Sequence, residues 1–125
     1  IMTCSPQSWA PSGNAVFHSE HLEEVLPQAD IVMALRVQSE RHGNPPRESG
    51  KEASSLDYRE KFGITVPRLS LIRKDAIILH PGPVNQGVEL DPAVFADPRC
   101  RIFEQVNVGV KVRKLLMRKI ITGEW

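Results

Sequence analysis

Two polar side chains, Arg36 and Gln38, follow an apolar run at residues 31–35 that is predicted to be a buried strand. Residues two apart in an extended chain point to the same side, so this guanidinium and this amide can converge on one ligand. A planar guanidinium binds a carboxylate through two parallel hydrogen bonds, and an amide can donate beside it. The pair therefore predicts a carboxylate-binding site, with a solvated arginine at a strand end as the alternative.

A second candidate site is the sequence His80-Pro81-Gly82-Pro83, which ends the apolar run at residues 76–79. The run predicts a buried strand of a parallel sheet, and such sheets bind ligands beyond the carboxyl ends of their strands. The prolines restrict the backbone, Gly82 lets a ligand approach it closely, and the Gly82–Pro83 bond can be cis. An ordinary corner between a strand and a loop is the alternative.

These candidate sites need a scaffold, and the hydrophobic pattern predicts alternating strands and helices. Strands are expected at residues 1–4, 31–35 and 76–79, and helices at 18–26, 66–73, 90–95 and 102–121. The first helix, between the first two strands, predicts a right-handed βαβ unit. The predicted N-caps are Ser19, Thr65 and Asp91, with Pro92 in the first turn of its helix.

Composition narrows the class of protein. The 125 residues are predicted to form one domain, and 16 basic against 15 acidic residues argue against nucleic-acid binding. We expect no membrane span and no signal segment, because no apolar run is long enough. Cys4 and Cys100 lack metal-ligand or disulfide-scaffold spacing, and His18 and His21 are interpreted as a surface pair rather than as metal ligands. A reduced cytoplasmic setting follows.

Residues 43–55 are predicted to form a flexible loop. This segment is polar and charged, with almost no large apolar side chain that could hold it in place. A long loop beside a binding site is either a lid or an insertion. Tyr58, Phe62 and Ile64 are predicted to anchor its far end.

Three stretches in this order carry a resemblance to a known family: residues 30–42, residues 80–83 and residues 101–113. Together they resemble the carboxy-terminal, aspartate-binding domain of the aspartate carbamoyltransferase catalytic chain. The resemblance covers nearly the whole sequence. It implies an α/β, Rossmann-like three-layer domain with a mainly parallel sheet, forming one half of a two-domain transcarbamylase.

The resemblance also assigns roles to the candidate residues. Arg36 and Gln38 would bind L-aspartate, the backbone of Gly82 and Pro83 would contact carbamoyl phosphate, and His80 and Pro81 would support that loop. The reaction implied is carbamoyl transfer to the aspartate amine, which gives N-carbamoyl-L-aspartate and phosphate in pyrimidine biosynthesis. No cofactor and no metal are implied. The implied partners are an amino-terminal carbamoyl-phosphate domain and, for the full chain, a homotrimer, and loop 43–55 would close over substrate.

Some family features are absent or changed. Gln86 stands where relatives carry Arg, and the sequence has no Ser-Thr-Arg-Thr phosphate loop at a helix start. We therefore expect the chain to be part of a longer protein and to be inactive alone. The last helix carries two apolar stripes, which predicts packing on both sides and contact with the amino-terminal domain. One stripe comprises Ile102, Val106, Val110, Met117 and Ile120 or Ile121, and the other comprises Val108, Val112 and Leu115.

Three other functions compete with this interpretation. An ornithine carbamoyltransferase would carry a cysteine where Pro81 stands and no carboxylate-binding arginine at Arg36, so both positions favour aspartate. A non-catalytic interaction module would use the second stripe of the last helix to bind a partner. A dinucleotide-binding domain is disfavoured because no glycine-rich turn follows either strand.

Overall fold

The structure, a computed structural model, describes residues 1–13, 16–37 and 55–123. The described residues form four short strands and four α-helices, joined by turns and by 3-10 helices at Gln7–Trp9, Leu26–Gln28 and Pro92–Ala96. In chain order the elements are β1 (Met2–Cys4), β2 (Phe17–Ser19), α1 (Leu22–Val25), β3 (Ile31–Met33), α2 (Ser55–Phe62), α3 (Val66–Leu69), β4 (Ile77–Leu79) and α4 (Ile102–Thr122).

The named strands pair in parallel. β1 pairs with β2, and β3 pairs with β4 in a register that places Met33 opposite Leu79. This confirms the predicted α/β class with parallel strands. The predicted pairing of the first two strands around a helix is wrong, since β1 takes β2 as its partner and β3 takes β4.

The first predicted helix starts later than expected. Phe17–Ser19 is strand β2, because its backbone bonds to that of β1, and α1 spans only Leu22–Val25 before the chain tightens into the following 3-10 helix. The N-cap is His21 rather than Ser19, whose hydroxyl instead accepts a hydrogen bond from the His21 N–H at 3.0 Å. Pairing of Ser19 with β1 therefore prevented it from capping the helix as its sequence position predicted.

Asp91 caps a helix other than the one predicted. Thr65 stands at the N-cap of α3, but its hydroxyl makes no capping bond, and the Val66 N–H donates instead to Asp91 Oδ2 at 3.2 Å. Arg59 Nη2 pairs with the other carboxylate oxygen at 2.7 Å. Asp91 also precedes Pro92 as predicted, although the segment after it is a 3-10 helix and makes no side-chain bond to Asp91.

The core lies between the β3–β4 pair and the helices before and after it. Its centre is Ile78, Leu90 and Val94, each fully buried. Around them pack further apolar side chains that are almost completely buried: Leu22, Leu26, Val32, Ile64, Ile72, Ala76 and Ile102. The two strands next to the candidate site are therefore fixed from within the chain.

Two arginines close helix ends by binding backbone carbonyl groups. Arg68 donates to the carbonyl oxygens of Glu60 at 2.7 Å and Gly63 at 2.8 Å, at the end of α2, and its Nε binds Glu23. Arg99 donates in the same way to the carbonyl of Leu69 at 3.0 Å, at the end of α3. These guanidinium groups replace the hydrogen bonds that the last carbonyls of a helix lack.

An aromatic cluster holds α2 against the start of the chain. The Tyr58 ring lies 5.9 Å from that of Trp9 and 5.4 Å from that of Phe62, and both Phe62 and Ile64 are buried. Whether Tyr58, Phe62 and Ile64 anchor the far end of the predicted loop stays a prediction. The predicted loop at 43–55 lies outside the described residues except for its last position, where α2 begins.

Helix α4 matches its predicted bounds to within one residue, and it ends at Gly123 in the left-handed conformation. Only its first apolar residue, Ile102, is buried, with 3% of its surface exposed. Both predicted stripes are largely exposed beyond that point, from Val106 at 43% to Ile121 at 79%. None of the described helices is long and apolar enough to cross a membrane.

Candidate functional site

The candidate site lies where β3 and β4 end side by side. Because the two strands are parallel and in register, their following residues leave the sheet at the same edge. The Ala34 N–H donates to the Leu79 carbonyl at 3.0 Å, which continues the pairing to that edge. The segment that carries Arg36 therefore leaves the sheet beside the loop that begins at His80.

The first half of this loop is held by the His80 ring. His80 Nδ1 accepts a hydrogen bond from the Gly82 N–H at 2.9 Å, and the His80 N–H donates to Gln105 Oε1 of α4 at 2.8 Å. Gly82 has a φ of 72°, which favours glycine, and the Gly82–Pro83 bond is cis. Pro81 and Pro83 are exposed, so a ligand can reach this backbone.

The second half of the loop is tied to the end of β3. Asn85 Nδ2 donates to the Val37 carbonyl at 3.1 Å, one residue beyond Arg36. The Asn85 N–H donates to Glu89 Oε1 at 2.7 Å. Asn85 therefore links the two segments that carry the predicted binding groups.

His80 and Glu89 form a buried pair beneath the loop. The His80 side chain is fully buried and the Glu89 side chain is 2% exposed, with His80 Nε2 and Glu89 Oε1 3.5 Å apart. Burial lowers the pKa of His80 below its ordinary value, and the nearby Glu89 carboxylate opposes part of that effect. The ring is therefore neutral at physiological pH, as suits a structural support for the loop.

The structure brings together most of the predicted site residues. Arg36 is half-buried at the strand-end edge, next to the loop formed by His80, Pro81, Gly82 and Pro83. Gln38 lies outside the described residues, as does nearly all of the predicted lid. The roles given to these residues remain predictions, which this geometry supports.

Sequence reasoning missed three supporting side chains, namely Asn85, Glu89 and Gln105. The Gln105 and Glu89 side chains accept hydrogen bonds from backbone N–H groups of the loop. The Asn85 side chain donates from the loop to the Val37 carbonyl. The available signal was weak: Glu89 is an acidic residue directly before the buried Leu90, in a stretch otherwise without charge. Its burial could not be inferred from that pattern alone.

The edge offers complementary groups to a small ligand. A guanidinium supplies planar donors for a carboxylate, and the loop supplies backbone groups that can discriminate an amide-like NH2. In the described part of the chain, no three His, Cys, Asp or Glu side chains come together as a metal site. Cys4 and Cys100 are both free thiols.

A shallow depression of about 480 Å³ lies elsewhere, beside α2 and α3. Four of the five charged residues that line it form ion pairs with each other: Glu23 with Arg68, and Arg59 with Asp91. These groups act in holding the helices together, and the strand-end edge remains the better candidate for ligand binding.

Comparison with known families agrees with this geometry. The sequence model described as "Aspartate/ornithine carbamoyltransferase, Asp/Orn binding domain" matches residues 3–120, nearly the whole chain. The chain belongs to this family. The resemblance inferred from the motifs at residues 30–42, 80–83 and 101–113 is thereby confirmed.

Curated relatives carry the name of one branch of the family. The chain is 38% identical over 104 residues to an aspartate carbamoyltransferase catalytic subunit of Lactobacillus delbrueckii subsp. bulgaricus, an alignment that covers 83% of this chain and 32% of that relative. The same values hold for the catalytic subunit of Lactobacillus helveticus. The chain spans about one third of the length of the curated relatives that it matches.

Solved structures similar to this chain are transcarbamylases. Aspartate transcarbamoylase from Trypanosoma cruzi in complex with carbamoyl phosphate has a TM-score of 0.62 at 28% identity, covering 75% of this chain and 27% of that one. The same enzyme in complex with carbamoyl aspartate and phosphate has a TM-score of 0.60 at 28% identity, with the same coverage. The chain therefore has the fold of part of a transcarbamylase, as predicted.

Proposed function

We propose that this chain is the aspartate-binding part of an enzyme that transfers the carbamoyl group of carbamoyl phosphate to L-aspartate, in pyrimidine biosynthesis. The observation that carries the proposal is the meeting of Arg36 and the His80–Pro83 loop at one edge of the β3–β4 pair. That edge occurs in a chain that is 38% identical to aspartate carbamoyltransferase catalytic subunits.

Carbamoyl transfer to aspartate exchanges one bond at the carbamoyl carbon for another. The aspartate amine forms a C–N bond to the carbamoyl carbon, the bond from that carbon to the phosphate oxygen breaks, and the amine loses a proton. The products are N-carbamoyl-L-aspartate and phosphate. Since phosphate is a good leaving group, catalysis rests on positioning the substrates and stabilising the oxyanion, and the proposal needs neither cofactor nor metal.

The described residues have distinct roles in this proposal. Arg36 binds a carboxylate of aspartate, assisted by Gln38, whose position is outside the described residues. The backbone of Gly82 and Pro83 contacts the carbamoyl group, where carbonyl oxygens accept from its NH2. His80 and Pro81 support that backbone, and His80 has no acid–base role because its ring is committed to the Gly82 N–H.

The proposal also includes a second domain that holds the phosphate. The Ser-Thr-Arg-Thr loop that the family uses is absent from this sequence, and the chain spans about one third of the curated relatives' length. The exposed apolar residues of α4 are suited to contact that domain. A homotrimer of the full chain and a cytoplasmic location complete the proposal. The isolated chain should not turn over substrate.

Carbamoyl transfer by the full-length protein that carries this chain tests the proposal. Product formation should occur with aspartate and not with ornithine, and Arg36→Ala should lower kcat/KM for aspartate by about 100-fold through loss of a charge-assisted contact. Arg73→Ala is the matched control, because Arg73 pairs with the exposed Asp30 and Asp75, away from the proposed site. Transfer to neither amine by a folded protein would refute the enzymatic function.

A non-catalytic interaction module is the second candidate. It is favoured by the exposed apolar surface of α4, which would suit a protein partner even without catalysis. A folded full-length protein that lacks transfer activity but binds a partner through α4 would establish this alternative.

A further inference from the structure

Glu89 is buried as deeply as the core although its side chain carries a carboxyl group. Only 2% of its surface is exposed, and it lies between Val88 and the fully buried Leu90. Burial of a carboxylate is costly unless hydrogen bonds or opposite charge compensate for the lost water. The burial of this carboxyl group therefore calls for an explanation, and Glu89 has none of the ligand-binding roles proposed above.

The contacts of Glu89 all lead to the loop after β4. Its Oε1 accepts the Asn85 N–H at 2.7 Å and lies 3.5 Å from His80 Nε2. Its own backbone is fixed from the other side, where its carbonyl accepts the Ile64 N–H at 2.9 Å. The carboxylate is thus held by a rigid segment and touches both ends of residues 80–85.

The His80 contact has a defined direction. Since Nδ1 accepts the Gly82 N–H, the proton of the neutral ring must be on Nε2, which faces Glu89. Glu89 Oε1 lies 3.5 Å from Nε2 without a hydrogen bond between them, so the carboxylate favours this tautomer through its negative charge. Loss of the negative charge removes that preference.

The Asn85 contact extends the effect to the other side of the site. The backbone N–H of Asn85 is bound to Glu89 while its side-chain amide binds the Val37 carbonyl, next to Arg36. The Glu89 carboxylate thus binds the loop that contains Gly82 and Pro83. Through Asn85 it also connects that loop to the strand end that carries Arg36.

We infer that Glu89 is a positioning residue: through His80 and Asn85 it fixes the distance between the loop backbone at Gly82–Pro83 and the Arg36 guanidinium. This inference rests on the proposed function, in which these two groups hold the two reacting molecules. An error of about 1 Å in the placement of reacting groups lowers a rate by about 100-fold. Substrate binding depends less on their separation, since each group still binds its own ligand.

Glu89→Gln in the full-length protein tests the inference, because glutamine keeps the size and one acceptor oxygen but loses the charge. The expected result is a fall in kcat of about 10- to 100-fold, with KM for aspartate changed less than about threefold. Glu24→Gln is the matched control, the same change at an exposed site on α1, and should leave both constants unchanged. Unchanged kcat in a folded Glu89→Gln protein would overturn the inference.

A second measurement does not depend on turnover. In protein labelled with ¹⁵N-histidine, the His80 ring should show the Nε2–H tautomer, and Glu89→Gln should shift it toward Nδ1–H. If the unsubstituted protein transfers no carbamoyl group, the proposed function fails while this measurement still decides whether Glu89 controls the loop. If Glu89→Gln does not fold, the unsubstituted protein decides: a His80 ring with its proton on Nδ1, or an Asn85 amide proton that exchanges rapidly, overturns the inference.

Discussion

The loop after β4 and the helix α4 differ in where their partners lie. In the loop, His80, Gly82 and Asn85 each hydrogen-bond to groups of this same chain. In α4, apolar side chains from Val106 to Ile121 are 43% to 79% exposed. The loop is therefore organised by the domain itself, whereas α4 has its first turn in the core and most of its apolar surface open to a partner.

This difference separates two requirements of the proposed enzyme. The loop after β4 should already have its geometry in the isolated chain, because the hydrogen bonds that fix it are made within this chain. The surface of α4 should acquire its function only when another domain or subunit is present. Substitutions on the two sides should therefore differ in what they damage.

The largest effect is expected at Gly63, which directly follows α2 and packs against the backbone near Glu89. A Cβ at Gly63 would lie 2.7 Å from the Arg59 carbonyl oxygen and 2.8 Å from that of Val88, and neither backbone atom can move freely. Gly63→Ala should lower the free energy of unfolding by about 4 kcal/mol. Denaturant unfolding of the isolated chain measures this.

The matched control is a glycine in α4. A Cβ at Gly109 would meet only the flexible end of Arg113, at 3.5 Å. Gly109→Ala should stabilise the chain by up to about 1 kcal/mol, because alanine favours the helix. Equal destabilisation by both substitutions would contradict the contrast between the two regions.

A smaller contrast is expected within α4 itself. Ile102 is 3% exposed and Ile121 is 79% exposed. Ile102→Ala should cost about 3 kcal/mol of unfolding free energy by leaving a cavity, while Ile121→Ala should change it by less than about 0.5 kcal/mol. A large loss from Ile121→Ala in the isolated chain would mean that the end of α4 packs against this chain.

The smallest effect concerns pH and the His80 ring. Burial lowers the pKa of His80 below 6.5, so the unfolded chain binds a proton more readily than the folded one. The contribution of His80 to stability is therefore complete above pH 6.5 and is lost as the pH falls through the folded pKa. Unfolding measured between about pH 7.5 and 5.5 should show this slope, by the same linkage.

One variant identifies the source of that slope: His80→Gln removes the buried ring and should flatten it. A slope that survives His80→Gln would assign the proton uptake to other groups.

The sequence was most accurate for elements with a long hydrophobic pattern or a buried apolar run. Helix α4 matched to within one residue and β4 to within one residue, because a long periodic helix and a central apolar strand are set by their own side chains. Strand β2 was missed, since a three-residue strand depends on the backbone of β1 rather than on its own residues. The capping bond at α3 comes from Asp91, far from Thr65 in the sequence.

For the candidate site, the sequence indicated some residues and not others. Residues with groups to offer a ligand, such as Arg36 and Gly82, could be found from their positions after two strands. Residues that hold those groups in place could not, because the partners of Glu89 and Asn85 become apparent only after folding. Sequence patterns thus indicate candidate ligand-binding groups more readily than the groups that support them.

The Arg68 guanidinium has a consequence for the order of folding. Helix α2 has little apolar surface of its own, and its last carbonyls are bonded by a side chain that belongs to α3. Helices of eight and four residues are both unstable in isolation, so α2 and α3 should form together. The two helices should therefore open together in hydrogen exchange, as a single cooperative unit.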